Sequence, residues 1–408
     1  MPASVDVTSV RLPLAADAVV VGGGTIGAWT AWFLRRAGLS RVVLVEADTL
    51  GKGASGRAAG MVRAQGGTPV AVRLGMFSRD FYAQQYEALG IDSGFVAQGY
   101  YVPCFGAEEV AQARERIAMQ RGLGLEVRWV DSGDFDASNP AMAPAQTQGA
   151  SYAPGDGYVD PPRNVLAYTV ALITSGVTIA ERTRFAGLRM AGDRVVAVRT
   201  EAGEIATDRV VLTGGPTLGA IGAVVGCAIP SGGARHQVVV TQPHPDVAAD
   251  RLPMVFDVAS GIYWRPEEGG VLWGMSNPEE TPGEAVQFDA AYHALMAARV
   301  AQLLPVTATL GLRRTWAATI DYTPDHLPIL GPVITADGPL QGSVIAAAGG
   351  HGMMWGPGVA RVAADLSLEG HSDLVDTTDL GLDRFDEHGR SRLAPDPIAL
   401  PFPDLATA

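Results

Sequence analysis

Cysteine is nearly missing from this chain: Cys104 and Cys227 are the only two in 408 residues, and they stand far apart with no Cys-x-x-Cys spacing. A disulfide framework and a cysteine-ligated zinc site therefore find no support, no metal site is expected, and a reducing cytoplasm fits. Basic charge is also scarce. Lys and Arg number 30 against 43 Asp and Glu, a net charge of −13, and no basic cluster offers the positive stripe that nucleic-acid phosphates require. No apolar run is long enough to span a bilayer, and "MPASVDVTSVRLPLAADAVVVGGG" lacks the basic and apolar regions of a secretory leader. A soluble, unprocessed, cytoplasmic protein without nucleic-acid partner or transmembrane segment is expected. No fixed-period repeat is found.

What is abundant is glycine, 50 residues, within a composition that is 47% hydrophobic and 18% charged. That is the texture of a glycine-rich α/β enzyme of two or three domains. Residues 18–22, "AVVVG", read as a buried parallel strand, Ile26–Arg36 as a helix closed by Gly38, and "RVVLVEAD" at 41–48 as a second strand. Helices follow at 71–90 and about 107–122, with strands at 99–105 and in "LEVRWV". Residues 133–163 read as a loop ending in a helix start, and a helix covers 164–175. The stretch 177–215 alternates strands and turns and ends in a second glycine pair. From 235 to 275 the texture is that of hairpins, followed by a helix at about 287–304. The strand "SVIAAAG" then leads through "GGHGMMWG" into a last helix, and the proline-containing stretch after about 375 reads as a surface wrap. The fold class expected is α/β plus β: a Rossmann-like unit on a parallel sheet and a second unit on a mainly antiparallel sheet, both discontinuous in sequence.

The sharpest signal is "VVVGGGTIGAWTAWFLRRAG". Gly22, Gly24 and Gly27 stand in G-x-G-x-x-G order between strand and helix, with Thr25 and Ile26 between the last two. Gly22 allows the tight turn, Gly24 the close approach of a pyrophosphate, and Gly27 close packing of helix on strand, so that phosphate meets free amides at the positive helix end. Glu46 stands 19 residues beyond Gly27 at the tip of "VVLVE", followed by Ala47. An acid there accepts hydrogen bonds from ribose hydroxyls and repels a 2′-phosphate. Adenine-dinucleotide binding follows, disfavouring NADP and leaving FAD and NAD open.

Several further stretches occur in order: "VEAD", "GASGRAAGMVR", "GYVDPPRNVLAYTVALITSGVTI", "VVLTGGPTLGAIGAVVG", "WAATIDYTPDHLPILGP" and "VIAAAGGHGMMWGPGVARVAADL". With the glycine turn they resemble the D-amino acid oxidase superfamily of flavoproteins, which includes glycine oxidase, sarcosine oxidase and dimethylglycine dehydrogenase. The resemblance runs to about residue 370. It implies FAD held by Gly22, Gly24, Gly27 and Glu46, by Ala54, Ser55, Arg57 and Ala58 beside the pyrophosphate and flavin, and by Gly214 and Gly215. Phe185 falls where the family makes a backbone contact to adenine, a core aromatic being the alternative. Where dimethylglycine dehydrogenases place a flavin-linking histidine this chain has Arg57, and where monomeric sarcosine oxidases place a cysteine it has Ala318, so the FAD is expected to be non-covalent.

The resemblance also implies a reaction: a secondary or N-methylated amine or amino acid is oxidised to an imine by hydride transfer to flavin N5, and the imine is then hydrolysed. Gly350, His351, Gly352 and Met353 would cradle the charged edge of the reduced ring at a helix start. The catalytic candidates are His351, Arg63, Tyr263 and Asp321. His351 either lines the flavin or merely packs the loop. Arg63 matches an arginine that grips the substrate carboxylate, or is a surface or pyrophosphate-side arginine. Asp321 either attracts an ammonium group or caps the "TPD" turn, and Tyr263 either donates a hydrogen bond from the roof of the site or sits at a sheet edge. Met354 stands where a carboxylate-binding lysine often follows G-H-G, and Ile320–Asp321 is nearer the pattern of the sarcosine oxidase and proline dehydrogenase β subunits. Met353, Met354, Trp355, Trp264 and Trp273 suggest a bulkier, less anionic amine than glycine or sarcosine. Leu272, where sarcosine oxidases carry a lysine, favours a dehydrogenase over an oxidase. The expected division is 16–88, 151–222 and 323–375 for the FAD unit, 89–150 and 223–322 for the substrate unit, and 376–408 as a C-terminal tail. Alternatives are a D-amino acid or glycine-type oxidase producing H2O2, a flavoprotein subunit of a larger dehydrogenase complex, and an NAD-dependent dehydrogenase, which gives G-H-G no purpose. A homo-oligomer or a partner subunit remains open.

Overall fold

A computed structural model describes residues 12–142 and 147–405. Residues 1–11, the first part of the stretch read for a leader, lie outside it. Two large sheets organise the chain. The first has six strands in the order Ile329–Gly331, Ser343–Ala347, Val210–Leu212, Ala18–Val21, Val42–Val45 and Thr178–Ala180, all parallel except Ile329–Gly331 at one edge. Its central strands are apolar throughout because both faces are covered. Alternation sorts their side chains: Ala18, Val20, Val42 and Leu44 pack with helices Thr25–Arg36, Pro161–Ser175 and Gly356–Glu369. Val19, Val21, Val43 and Val45 face the opposite core, shared with a three-stranded sheet of Phe185–Ala191, Arg194–Thr200 and Gly203–Ala206.

The second sheet has eight strands in the order Leu312–Tyr322, Gly232–Thr241, Gly270–Met275, Ile262–Glu267, Met254–Asp257, Tyr100–Cys104, Gly149–Ala153 and Arg128–Asp131. Its pairs are antiparallel except for Met254–Asp257 with Tyr100–Cys104. Trp264 and Trp273 face a core closed by helix Ala290–Leu303, whereas their neighbours Tyr263 and Leu272 face the other way, towards Met61 and Phe256. The mixed architecture agrees with the expected fold class.

Capping explains the helix starts. Helix Pro69–Leu89 begins two residues before the expected 71 because Pro69 fits its first turn and the Thr68 side chain accepts the Ala71 amide. Asp160 does the same for Pro161–Ser175, and Asp289 accepts the amides of Ala291 and Tyr292 to start Ala290–Leu303.

One expectation is corrected and another sharpened. The loop read at 133–163 contains most of the helix Ser132–Ser138, whose Phe135 is buried edge-on against Tyr101, and the strands Gly149–Ala153 and Gly157–Tyr158. Residues 151–153 therefore hydrogen-bond in the eight-stranded sheet. The stretch 376–405 runs mostly at the surface, as expected, but is anchored: Arg384 is fully buried and forks onto Asp325, Nε to Oδ2 at 2.7 Å and Nη2 to Oδ1 at 3.1 Å. The remaining Arg384 donors meet the carbonyls of Leu380 and Leu327, and Ser391 donates to Asp325 at 2.6 Å. Replacing Arg384 by Ala strands a buried carboxylate, and denaturant titration is expected to show a loss of about 3–5 kcal/mol.

Candidate active site

A cavity of about 830 Å³ lies at the carboxyl ends of the parallel strands, where open α/β sheets bind ligands, and reaches the inner face of the eight-stranded sheet. The first glycine turn shapes one end. Gly22 has φ 107°, and a Cβ there would lie 2.8 Å from the Thr213 carbonyl oxygen. Gly27 does not line the cavity; its role is packing, since a Cβ there would fall 1.9 Å from the Gly22 oxygen. Gly24, Thr25 and Ile26 do line it, and Ser55 accepts the Thr25 amide at 2.9 Å, which anchors the Ala54–Arg57 turn to the helix start. Glu46 is held at its strand tip by the amides of Gly23 (2.6 Å) and Asp48 (2.8 Å), with Ala47 beside it on the cavity. Ala54, Arg57, Ala58, Phe185, Gly214 and Gly215 line the same space. A helix start, a turn with no room for side chains and a carboxylate at the next strand tip fit a dinucleotide with free ribose hydroxyls.

The "GGHGMM" loop closes the other end. Gly350, His351, Gly352, Met353 and Met354 all line the cavity, and Gly350 has φ 99°. Regular helix starts at Gly356, at the end of the glycine loop, and residues 351–355 form a separate turn in which the Trp355 amide bonds the His351 carbonyl at 2.8 Å. Met353 is fixed from outside, its carbonyl accepting the Tyr82 hydroxyl at 2.9 Å. The His351 ring stacks on Trp355 at 4.0 Å, and burial, reinforced by the nearby charges of Arg63 and His326, pushes the imidazole down to about 3. It is neutral in the working range.

Arg63, Tyr263 and Asp321 meet at the same cavity. Arg63 is 3% exposed, lies 5.0 Å over the Phe256 ring and donates to two carbonyls, Gln65 at 2.9 Å and Ile398 at 2.8 Å. Its Nε has no partner among the described residues. The Asp321 Oδ2 likewise has none, and burial pushes its carboxyl up against the opposing pull of the Asp321 and Ala348 amides. The "TPD" turn is capped by Asp325, which accepts from Thr323 and the Leu327 amide, rather than by Asp321.

The Tyr263 hydroxyl lies 2.6 Å from Nε2 of His236, which sequence reading missed. Both are buried with rings nearly parallel; burial pushes the histidine down to about 4 and the tyrosine up. The available signal was alternation, which puts His236 on the same face as Val238 and Val240. The same alternation corrects the aromatic site: Trp264 and Trp273 point into the opposite core, and Trp355 packs beneath His351 in the helix layer. Thr213 and Leu400 also line the cavity and were not foreseen.

Residues 17–366 match the family described as DAO, FAD dependent oxidoreductase. The chain belongs to this family, and it is an FAD-dependent enzyme. It is 28% identical over 396 residues to 4-methylaminobutanoate oxidase (formaldehyde-forming) of Paenarthrobacter nicotinovorans, an alignment covering 93% of this chain and 47% of that protein. A glycine oxidase of Pseudomonas aeruginosa is 30% identical over 365 residues, covering 88% and 96% respectively. The structure of L-proline dehydrogenase from P. horikoshii aligns with a TM-score of 0.81 at 26% identity, covering 89% of this chain and 96% of that one. The chain thus spans about half the length of the first relative. Among the described residues no helix is long and apolar enough to cross a membrane, and no group of side chains could hold a metal ion.

Gly27→Val is expected to force turn and helix apart and to give purified protein without the flavin absorbance near about 450 nm. The buried His236 gives a pH signature. Its folded pKa of about 4 lies below the ordinary 6.5, so the unfolded chain takes up a proton that the folded chain refuses, and stability falls as pH drops through that window. Denaturant titrations between these limits are expected to show His236→Gln gaining on the wild type as pH falls.

Proposed function

We propose that the chain oxidises a secondary or N-methylated amino acid or amine to an imine, which water then hydrolyses. The observation that carries this reading is the Arg63 guanidinium, buried on the cavity wall with two of its five donors on carbonyls and no carboxylate hydrogen-bonded to it. Burying such a charge is costly unless an anion completes it, and a planar guanidinium suits a substrate carboxylate. Bound FAD supplies the hydride acceptor for the carbon next to the substrate nitrogen. The chain's own groups prepare the substrate. Asp321, with its free Oδ2, offers an acceptor to the substrate nitrogen. The neutral His236 ring beside the Tyr263 hydroxyl favours the substrate nitrogen in its uncharged form, its proton left to solvent on binding, since an amine must give up its charge before a hydride can depart. Gly350–Met353, on the cavity wall, would offer backbone groups to the bound ring, and the apolar side chains of Phe256, Met354 and Leu400 exclude water.

Non-covalent FAD is supported by Arg57 and Ala318, which carry no nucleophile where some relatives attach the cofactor. Leu272, buried against Tyr263, supplies no cation to stabilise reduced oxygen, which favours an acceptor other than O2. The 4-methylaminobutanoate and L-proline named for similar proteins supply two of the probes, and N-methylated glycines the others. The purified chain is expected to carry flavin that leaves on acid precipitation. Its absorption band is expected to bleach anaerobically with at least one of sarcosine, N,N-dimethylglycine, L-proline and 4-methylaminobutanoate, and Arg63→Ala to raise the half-saturating concentration by about a hundredfold. A flavin that none of them reduces would sink this reading.

A further inference from the structure

After Ala394 the chain turns from its anchor at Asp325 back to the cavity. Asp396 is buried. Its carboxylate accepts the amides of Gly67 at 3.2 Å and Ile398 at 2.9 Å, and its own amide donates to the Asp325 carbonyl at 3.2 Å. The neighbouring loops leave room for this passage. A Cβ on Gly67 would lie 2.2 Å from Asp396 Oδ1, and one on Gly350 would lie 2.5 Å from the Phe402 ring. Phe402 stacks on Tyr322 at 5.0 Å with the rings 10° apart, which ties the segment to the strand that carries Asp321.

Between these two fixed points the segment touches the substrate end of the site twice. The Ile398 carbonyl accepts Arg63 Nη2 at 2.8 Å, and Leu400 lines the cavity, packed with the cluster that holds Phe256 and Tyr263. Two carbonyls, one from Gln65 and one from Ile398, fix the plane of a guanidinium without neutralising it.

We propose that residues 396–402 are a positioning and specificity element of the substrate site: the Ile398 carbonyl aims Arg63, and Leu400 sets the length and bulk of substrate that fits. The aiming of Arg63 rests on the carboxylate reading above, whereas the Leu400 wall does not. Substrate selection is thereby assigned to a segment more than 300 residues beyond Arg63 in the chain.

Full-length Asp396→Ala and Leu400→Trp are compared with the wild type and Arg63→Ala by anaerobic flavin bleaching with sarcosine, L-proline, 4-methylaminobutanoate and the carboxyl-free N-methylpropylamine, after bound FAD has been measured. Asp396→Ala is expected to raise half-saturation by the carboxylate substrates about tenfold and to leave N-methylpropylamine within about twofold. Leu400→Trp is expected to worsen 4-methylaminobutanoate relative to sarcosine by about tenfold. An Asp396→Ala effect equal for all four probes overturns the aiming of Arg63. An unaltered ranking in Leu400→Trp overturns the wall, and decides the proposal alone if Asp396→Ala loses its FAD. If Arg63→Ala leaves carboxylate preference intact while Leu400→Trp changes the ranking, the carboxylate reading fails and the wall stands.

Discussion

The close approach of helix Thr25–Arg36 to the turn at Gly22 is the contact on which the rest of the structure hangs. With 1.9 Å between a would-be Gly27 Cβ and the Gly22 oxygen, glycine alone fits, and Thr213 closes the same turn by donating to the Val21 carbonyl at 2.7 Å. Because helix and strand meet so closely, the helix start opens on the cavity beside the Glu46 strand tip, and the parallel sheet can carry a second helix, Gly356–Glu369, against the first. The loop that precedes that second helix is the one that closes the far end of the cavity. The two glycine-rich stretches therefore face one space because their helices share one layer.

The substrate end follows a different rule. Arg63, Asp321, His236 and His351 are all buried, and their polar groups are left incompletely paired or unable to hold charge. A structural core would satisfy such groups, as Arg384 and Asp325 satisfy each other elsewhere in the chain. The contrast between these two buried arginines is informative. Arg384 directs its donors to a carboxylate and carbonyls and holds the closing segment in place; Arg63, at the cavity wall, hydrogen-bonds two carbonyls and feels the buried Asp156 carboxylate only through space.

Legibility followed sequence distance. The glycine turn and Glu46 lie within one βαβ unit, where spacing alone dictates which backbone groups face the ligand. The antiparallel sheet was readable as hairpins, yet which face of each strand met the cavity was not: Tyr263 and Trp264 are adjacent and point to opposite cores. Once Tyr263 is assigned to the cavity, alternation removes Trp264 from it. His236 was missed because alternation sets it on one face with Val238 and Val240 but does not say that this face meets the cavity, and the two acids Asp321 and Asp325 exchange meaning only when the turn between them is seen folded.

By itself the sequence determined the dinucleotide unit, since the turn at Gly22, the tight packing at Gly27 and the strand-tip acid at Glu46 are properties of neighbouring residues, while the resemblance of several stretches in order pointed to the family. Tertiary structure decided which candidates meet at the cavity and added others to them. Arg63, His236, Tyr263, Asp321 and Ile398 come together through sheet register and the return of the closing segment, and contacts across such separations leave no local periodicity to read.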